Sequence, residues 1–105
     1  MDAQLKRGFL EFCVLASIKN KDSYGYQIVK DVSQYIEISE STLYPILRRL
    51  ESSQSVMTYT EEHKNRLRKY YRITDKGKES IQLFLDEWKE IQSIYEYIKG
   101  EMDHE

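Results

Sequence analysis

The sequence predicts a mainly α-helical fold with one small β-hairpin. Two observations lead to this prediction. Four segments place apolar side chains at helical spacing, and the stretch between the third and the fourth contains two short runs rich in strand-forming residues. With 105 residues, 40% hydrophobic and 32% charged, the chain has the length and composition of one small globular domain. We therefore predict one structural domain, in which residues 74–105 form a long final helix that follows residues 1–73 along the chain.

The first helix is predicted over residues 4–19. Leu5, Phe9 and Phe12 recur there at helical spacing, and further apolar residues lie on a second side. A helix that is apolar on two sides must be covered on both. We therefore expect this helix to be covered on both sides.

The second helix is predicted over residues 24–35, after a polar turn. Asp22 or Ser23 is expected to cap it, because a side-chain oxygen there can accept a hydrogen bond from a free backbone N–H group. Helical spacing places Tyr24, Ile28, Val32 and Tyr35 on its inward side.

The third helix is predicted over residues 41–52, and it contains Pro45, the only proline of the chain. Either Ser39 or Ser41 can cap it. With Ser41 as the cap, Pro45 lies near the end of the first turn, where a missing N–H group costs little. Its inward face is formed by apolar residues at positions i, i+3, i+4 and i+7, which are Leu43, Ile46, Leu47 and Leu50.

A hairpin is predicted after the third helix, with strands over residues 55–61 and 68–73. Asn65 is the residue of the intervening turn best able to adopt a left-handed conformation. From Lys64 to Arg72 the chain carries five basic residues and no acidic one. The hairpin therefore has a cationic end, although a two-stranded hairpin of this size has to pack on the helices to be stable.

The final helix carries a heptad-like stripe, with apolar residues at alternating spacings of three and four. A single small domain has no use for such a stripe on a helix that projects from its end. We therefore predict that this helix pairs with a second copy of the chain. The stripe consists of Ile81, Phe84, Trp88, Ile91, Tyr95 and Ile98.

Charge is distributed unevenly along the chain. The formal net charge of −2 divides into +1 for residues 1–35, +2 for residues 36–73 and −5 for residues 74–105. The acidic residues are therefore concentrated in the final helix, and the hairpin forms a local cationic patch in an acidic protein.

Several functional classes have no support in the sequence. No glycine-rich phosphate loop or catalytic constellation can be singled out, so we predict that the chain is not an enzyme and needs no cofactor. Cys13 is the only cysteine, and His63 and His104 are too few for a metal site. No apolar run is long enough for a membrane span, and we expect a cytoplasmic protein.

Three helices followed by a basic hairpin is the element order of a winged helix-turn-helix, in which the third helix reads DNA and the hairpin forms the wing. Within that order, the sequence closely resembles the PadR family of bacterial transcriptional regulators. The resemblance covers essentially the whole chain. It is carried by YGYQI from Tyr24 to Ile28, TLYPILRRLE from Thr42 to Glu51, and RKYYRIT from Arg68 to Thr74 followed by Gly77.

The short length, with a single C-terminal helix, is similar to that of the small subfamily of these regulators. The resemblance implies that residues 1–73 bind DNA and that residues 74–105 provide a dimerisation helix. It implies a repressor that binds a two-fold symmetric operator as a homodimer, with Leu5, Phe9 and Phe12 joining the stripe at the interface. The family often has glycine where this chain has Gln54 and in the wing turn.

The candidate DNA contacts combine short hydroxyls near the start of the third helix with longer donors behind them and basic residues on the wing. For Tyr44, the alternative is that its ring packs on the wing or on the second helix. For the two arginines of the third helix, the alternative is that one pairs with Glu51 or Glu37. The candidates are Ser39, Ser41, Thr42, Tyr44, Arg48, Arg49, Lys64, Arg66, Arg68 and Lys69.

A small-molecule response is a further expectation. In some members of the family a pair of tryptophans near the dimer axis stacks on planar aromatic compounds, and the resemblance makes Trp88, Phe12 and Phe84 the candidate contacts here. The alternative is that Trp88 belongs only to the interface core. The alternative function, favoured by the acidic isoelectric point, is a winged-helix dimer that binds a protein or a ligand without DNA.

Overall fold

The computed structural model describes residues 1–104 and has the predicted fold class. Three helices precede an antiparallel two-stranded hairpin, and a long helix follows it. Predicted and observed boundaries agree to within three residues, and the final helix runs to Asp103. The elements are α1 (Ala3–Ser17), α2 (Gly25–Val32), α3 (Glu40–Ser52), β1 (Val56–His63), β2 (Arg66–Ile73) and α4 (Asp75–Asp103).

Side-chain hydrogen bonds cap the starts of α1, α3 and α4. The Asp2 carboxylate accepts from the backbone N–H groups of Gln4 and Leu5, each at 3.1 Å, at the start of α1. The Thr74 hydroxyl accepts from Gly77 N at 3.1 Å at the start of α4. It also donates to the carbonyl of Gln54 at 2.7 Å, which ties α4 to the chain segment behind α3.

The second helix differs from its prediction at both ends. Its N-cap is Tyr24, which provides no side-chain hydrogen bond, so the prediction of Asp22 or Ser23 as the cap was wrong. The helix ends at Val32 because a tighter turn follows, in which the Tyr35 N–H group donates to the carbonyl of Val32. This turn leaves Tyr35 86% exposed instead of inward.

The third helix ends in a left-handed residue. Gln54 has a φ of 62°, and its N–H group donates to the Glu51 carbonyl at 3.0 Å. The next N–H group, of Ser55, donates to the Leu50 carbonyl at 2.9 Å. These two bonds form a Schellman motif, a helix end at which glycine is the usual left-handed residue. Gln54 adopts the left-handed conformation that glycine usually provides at such a helix end.

The hairpin is longer than predicted, because only two residues form its turn. Lys64 and Asn65 have φ values of 52° and 65°, and Arg66 pairs with His63 across the strands. Two successive left-handed residues are the mark of a type I′ turn, whose twist suits a two-residue hairpin. Asn65 is left-handed as expected, and Lys64 is left-handed as well.

The core lies between the first three helices and one face of the hairpin. Ser23 and Tyr71 exchange two backbone hydrogen bonds. The Tyr71 N–H group donates to the Ser23 carbonyl at 2.7 Å, and the Ser23 N–H group donates to the Tyr71 carbonyl at 3.2 Å, so the α1–α2 connection lies along the edge of β2. From α4, the side chain of Ile81 packs against this core. The core residues are Leu10, Val14, Leu15, Ile18, Ile28, Val32, Ile38, Leu43, Ile46, Leu47, Leu50, Val56, Tyr71 and Ile73.

The last helix projects beyond the rest of the molecule. It has 29 residues and is therefore about 43 Å long, at 1.5 Å per residue. The whole chain measures 66 × 26 × 21 Å along its principal axes. Among residues 1–104 no helix is long and apolar enough to cross a membrane, and no cluster of His, Cys, Asp and Glu side chains is placed to hold a metal ion.

Candidate nucleic-acid interface

The start of α3 presents a cluster of three exposed hydroxyl groups. Ser39 is the N-cap, and its Oγ accepts from Thr42 N at 3.3 Å. The same oxygen lies 2.9 Å from Ser41 Oγ and 3.2 Å from Thr42 Oγ1. Hydroxyl groups can both donate and accept, so this cluster is suited to phosphate oxygens and to the edges of bases.

Pro45 lies deeper in α3 than expected. Since Ser39 and not Ser41 is the cap, Glu40 is the first helical residue and Pro45 falls in the second turn. Of the two predicted caps, Ser39 is therefore observed, and the position of Pro45 near the end of the first turn, which required Ser41 as the cap, is not. Because proline has no N–H group, the Ser41 carbonyl has no partner within the helix and stays available as an acceptor.

Tyr44 packs on the start of α2, while 39% of its surface stays exposed. A Cβ atom built on Gly25 would lie 2.5 Å from the Tyr44 hydroxyl oxygen and 3.1 Å from its Cζ. The absence of a side chain at Gly25 is what lets the ring approach so closely. Of the two interpretations of Tyr44, packing on the second helix is therefore observed, although it leaves part of the ring free for a partner.

Three tyrosine rings form a row on the outer face of the hairpin, with an arginine over the ring at each end. The guanidinium carbon of Arg68 lies 3.9 Å from the ring centre of Tyr24. Tyr24 meets Tyr70 edge to face at 5.6 Å, and Tyr70 stacks on Tyr59 at 5.5 Å. A guanidinium held over an aromatic face keeps its N–H groups at the rim of the ring, so Arg68 is oriented before any partner arrives.

Asp22 holds the base of the hairpin at the far end of this row. Its carboxylate accepts from the Tyr59 hydroxyl at 2.7 Å and from Arg72 at 2.9 and 3.1 Å. Hydrogen bonds from Arg72 and then from Tyr59 hold the pKa of Asp22 below its usual range, and the hydrogen bond to Asp22 raises the pKa of Tyr59. No local pattern indicates this contact, because Asp22 is 37 residues from Tyr59 along the chain.

Replacing Asp22 with asparagine is expected to lower the free energy of unfolding at neutral pH by about 1 kcal/mol or less, since water screens this ion pair. The pKa of Asp22 is lower in the folded chain than in the unfolded chain, where it is about 3.9. The contribution is thus complete above that value and is lost as the pH falls through the folded pKa.

Urea unfolding of both proteins at pH 7 and near pH 2 measures this difference, which should close at the lower pH. A gap of the same size at both pH values would contradict the assignment. Asp103→Asn is the matched control, because it removes an exposed carboxylate that takes part in no ion pair among residues 1–104.

Among the described residues, Lys69 takes part in an ion pair, unlike Lys64, Arg66 and Arg68. Its ammonium lies 3.6 Å from the Glu51 carboxylate at the end of α3, and the Thr58 hydroxyl donates to the same carboxylate at 3.2 Å. The prediction that Glu51 pairs with an arginine of α3 was therefore wrong, since its partners come from the hairpin. Arg48 and Arg49 are both exposed.

Eight of the ten predicted contact residues line two grooves, one on each side of α3, whereas Ser41 and Arg48 line neither of them. The groove between α3 and the hairpin, which we call the wing groove, has a volume of about 590 Å³. It brings Tyr44 together with the predicted wing residues Lys64, Arg66, Arg68 and Lys69. Ser39, Thr42 and Arg49 instead line a separate groove against α1.

Aromatic residues of α1 and α4 pack against each other within one chain. Phe12 stacks on Phe84 with ring centres 4.2 Å apart, and Phe9 lies 4.9 Å from Trp88. With Leu5 and Gly8 these rings line a shallow groove of about 390 Å³. The four aromatic residues are only half buried. This is the region in which the sequence predicted a ligand.

The heptad stripe divides after Trp88. Ile81, Phe84 and Trp88 contact other parts of the same chain, whereas Ile91, Tyr95 and Ile98 are 43%, 57% and 56% exposed. In the part of the chain that the structure describes, nothing covers the second half of the stripe. Leu5, the remaining residue predicted for the dimer interface, is 45% exposed.

Known proteins are similar to this chain in both sequence and fold. The chain matches the transcriptional regulator PadR-like family over residues 14–83. An uncharacterized protein of Lysinibacillus sphaericus is 37% identical over 93 residues, which are 84% of this chain and 85% of that protein. The structure of a PadR family transcription regulator from Clostridium difficile is 30% identical and has a TM-score of 0.79, with 87% of this chain and 98% of that chain covered.

The structure of Bacillus subtilis PadR in complex with operator DNA is a more distant match. It is 23% identical, has a TM-score of 0.66, and covers 72% of this chain and 46% of that chain. At this distance the likeness concerns the fold alone. The family match, by contrast, runs from α1 through α3 and the hairpin into α4, and it includes the three motifs around Gly25, Pro45 and Tyr71. The chain therefore belongs to the PadR-like family of transcriptional regulators.

Proposed function

We propose that this chain binds a two-fold symmetric DNA operator as a homodimer and represses transcription from it. The observation that carries the proposal is the wing groove, where Tyr44 on α3 and four cations of the hairpin line one concave surface. The hydroxyl cluster lies at the start of the same helix. Bacillus subtilis PadR, which has a similar fold, has been solved with operator DNA, and this supports the proposal.

The two parts of this surface have different roles in the proposal. Ser41 and Thr42 lie at the start of α3, the end of a recognition helix that meets base edges in the major groove. Lys64 and Arg66 are exposed at the tip of the hairpin and take part in no ion pair among the described residues. They attract phosphates irrespective of sequence, so the wing supplies affinity and α3 supplies specificity.

The exposed second half of the α4 stripe supports the homodimer. Ile91, Tyr95 and Ile98 follow one another at helical spacing over two turns, an arrangement that a second copy of the helix can cover by the same residues. Two copies bring two recognition helices to the DNA. A two-fold symmetric operator is the partner that such a dimer fits.

The test is the salt dependence of operator binding, measured by fluorescence anisotropy with DNA from upstream of the gene. For the double variant Lys64→Ala/Arg66→Ala, we expect weaker binding to every sequence. The slope of log K against log salt should flatten by roughly 0.9 for each lost phosphate contact. Lys78→Ala/Lys89→Ala removes two exposed cations of α4 and is the matched control.

An unchanged slope in the wing variant would remove the wing from the interface. A wild-type protein that binds operator and random DNA equally at every salt concentration would overturn the proposed function. That result would favour the rival, a winged-helix dimer that binds a protein or a small molecule without DNA.

The half-buried aromatic groove between α1 and α4 supports a second element of the proposal, release from DNA by a planar aromatic compound. Trp88 and Phe9 present their rings to this groove, which is open to solvent and largely apolar. Titration with a planar cationic dye should quench Trp88 fluorescence, and Trp88→Phe should abolish the signal. Unchanged fluorescence at high micromolar dye would leave Trp88 with a packing role only.

A further inference from the structure

A second cationic surface lies on the side of α3 opposite to the wing. It is a groove of about 590 Å³ between the start of α1 and the outer side of α3, which we call the α1 groove. α1 contributes Lys6 and Arg7, and α3 contributes Ser39, Thr42 and Arg49. The wing groove and the α1 groove therefore flank the recognition helix on its two sides.

The charges of the α1 groove are not neutralised within the chain. Lys6, Arg7 and Arg49 line it together with one acidic residue, Glu37. Within residues 1–104, none of the three cations lies within 4.0 Å of a carboxylate oxygen. Three cations that face one carboxylate leave a net positive groove beside the hydroxyls of Ser39 and Thr42, a combination of donors that suits an anion.

DNA geometry gives this surface a partner. A helix inserted into the major groove has a sugar–phosphate strand on each side of it, because the groove is about 12 Å wide and is bounded by both strands. The hairpin lies on one side of α3 and the α1 groove on the other, so each is nearer to a different strand. We propose that the α1 groove binds backbone phosphates of the other strand through Lys6, Arg7 and Arg49, and this inference rests on the proposed function.

Glu37 gives the proposal an additional consequence. Its carboxylate lines the same groove and would lie near the phosphates, where it repels them. Replacing Glu37 with glutamine keeps the shape of the side chain and removes its charge. This variant should bind DNA more tightly and with a steeper dependence on salt, which loss of folding could not imitate.

The main test compares Lys6→Ala/Arg7→Ala with the control Lys78→Ala/Lys89→Ala, which removes the same number of charges from α4. Alanine is the best helix former, so folding of α1 should be preserved, as circular dichroism and size-exclusion chromatography can verify. We expect the slope of log K against log salt to flatten by roughly 3.6, because the proposed homodimer loses two phosphate contacts in each protomer at about 0.9 per contact. The control should keep the wild-type slope.

Ethylation interference identifies the strand. Ethylated phosphates on both strands should block binding of the wild-type protein, in one cluster beside each face of the recognition helix. The α1 variant should lose sensitivity in one cluster, and the Lys64→Ala/Arg66→Ala wing variant in the cluster on the opposite strand. Loss of the same cluster in both variants would overturn the proposal.

The outcomes separate this inference from the proposed function. If the wing variant flattens the salt slope while the α1 variant behaves like the control, the α1 groove does not bind DNA and the proposed function stands. If the wild-type protein shows no operator binding, the proposed function fails and the α1 groove fails with it. Weaker binding of Glu37→Gln than of the wild type would also contradict the α1 groove as a phosphate site.

Discussion

Replacing Gly77 with alanine is expected to lower the free energy of unfolding by about 2–3 kcal/mol. A Cβ atom on Gly77 would overlap the carbonyl oxygen of Ser55 and would lie 2.7 Å from Cγ1 of Ile73. The carbonyl cannot easily move away, because it accepts from Thr74 N at 3.0 Å while the N–H group of Ser55 is bonded to α3. The added methyl group would therefore disturb the packing where α3, the hairpin and α4 meet.

The direction of this effect separates packing from helix propensity. Gly77 lies in the first turn of α4, and propensity alone would make alanine more favourable than glycine by about 1 kcal/mol. Gly100 is the matched control, because it lies in the same helix and a Cβ atom there meets nothing within 4 Å. Urea denaturation followed by circular dichroism should show Gly100→Ala equal to or more stable than the wild type. A stabilised Gly77→Ala would disprove the steric argument.

Placing charges in the exposed half of the α4 stripe is expected to separate the proposed homodimer into folded monomers. In Ile91→Lys/Ile98→Lys, two ammonium groups per chain would have to leave water on association, at a cost of several kcal/mol for each. Neither residue belongs to the core cluster, so the monomer should keep its fold. Operator affinity should fall by about 10²–10⁴, because each half-site is then bound without the effective concentration that a linked partner provides.

Sedimentation velocity at micromolar concentration measures the assembly, and anisotropy measures the operator affinity. The control variant Ser93→Lys/Gly100→Lys adds the same charge on the opposite side of α4, since these residues lie about 180–200° around the helix from Ile91. It should remain dimeric. A monomeric wild type, or an Ile91→Lys/Ile98→Lys variant that still sediments as a dimer, would contradict the assignment of this stripe to dimerisation.

The fold class could be predicted because each helix repeats its apolar residues on a fixed period. Leu43, Ile46, Leu47 and Leu50 identified α3 and its buried face, and all four are buried. The errors lie where the outcome depended on single backbone conformations. Three residues after Val32 keep a helical pattern but form a turn, and Lys64 adopts a left-handed conformation that its residue type does not indicate.

The candidate site was harder to predict, because its parts meet through contacts between distant segments. Charge counting placed Lys69 with the other cations of the hairpin, but strand alternation turns it toward Glu51. Asp22 looked like a helix cap because caps are local, whereas its partners lie on the hairpin. The lysine and arginine of the α1 groove precede α3 by more than thirty residues, so only the packing of α1 on the other helices brings them near Arg49.

The separation of charge along the molecule affects how it would meet DNA as well as how tightly it would bind. Residues 74–105 carry −5 and residues 36–73 carry +2, so a chain with a net charge of −2 has a strong electric dipole from α4 toward the hairpin. The electric field of the DNA phosphates would exert a torque on this dipole. The torque would turn the cationic end of the molecule toward the DNA during diffusion, while α4 is repelled. Most collisions would then begin in the productive orientation, which gives an acidic protein a fast association rate at low ionic strength.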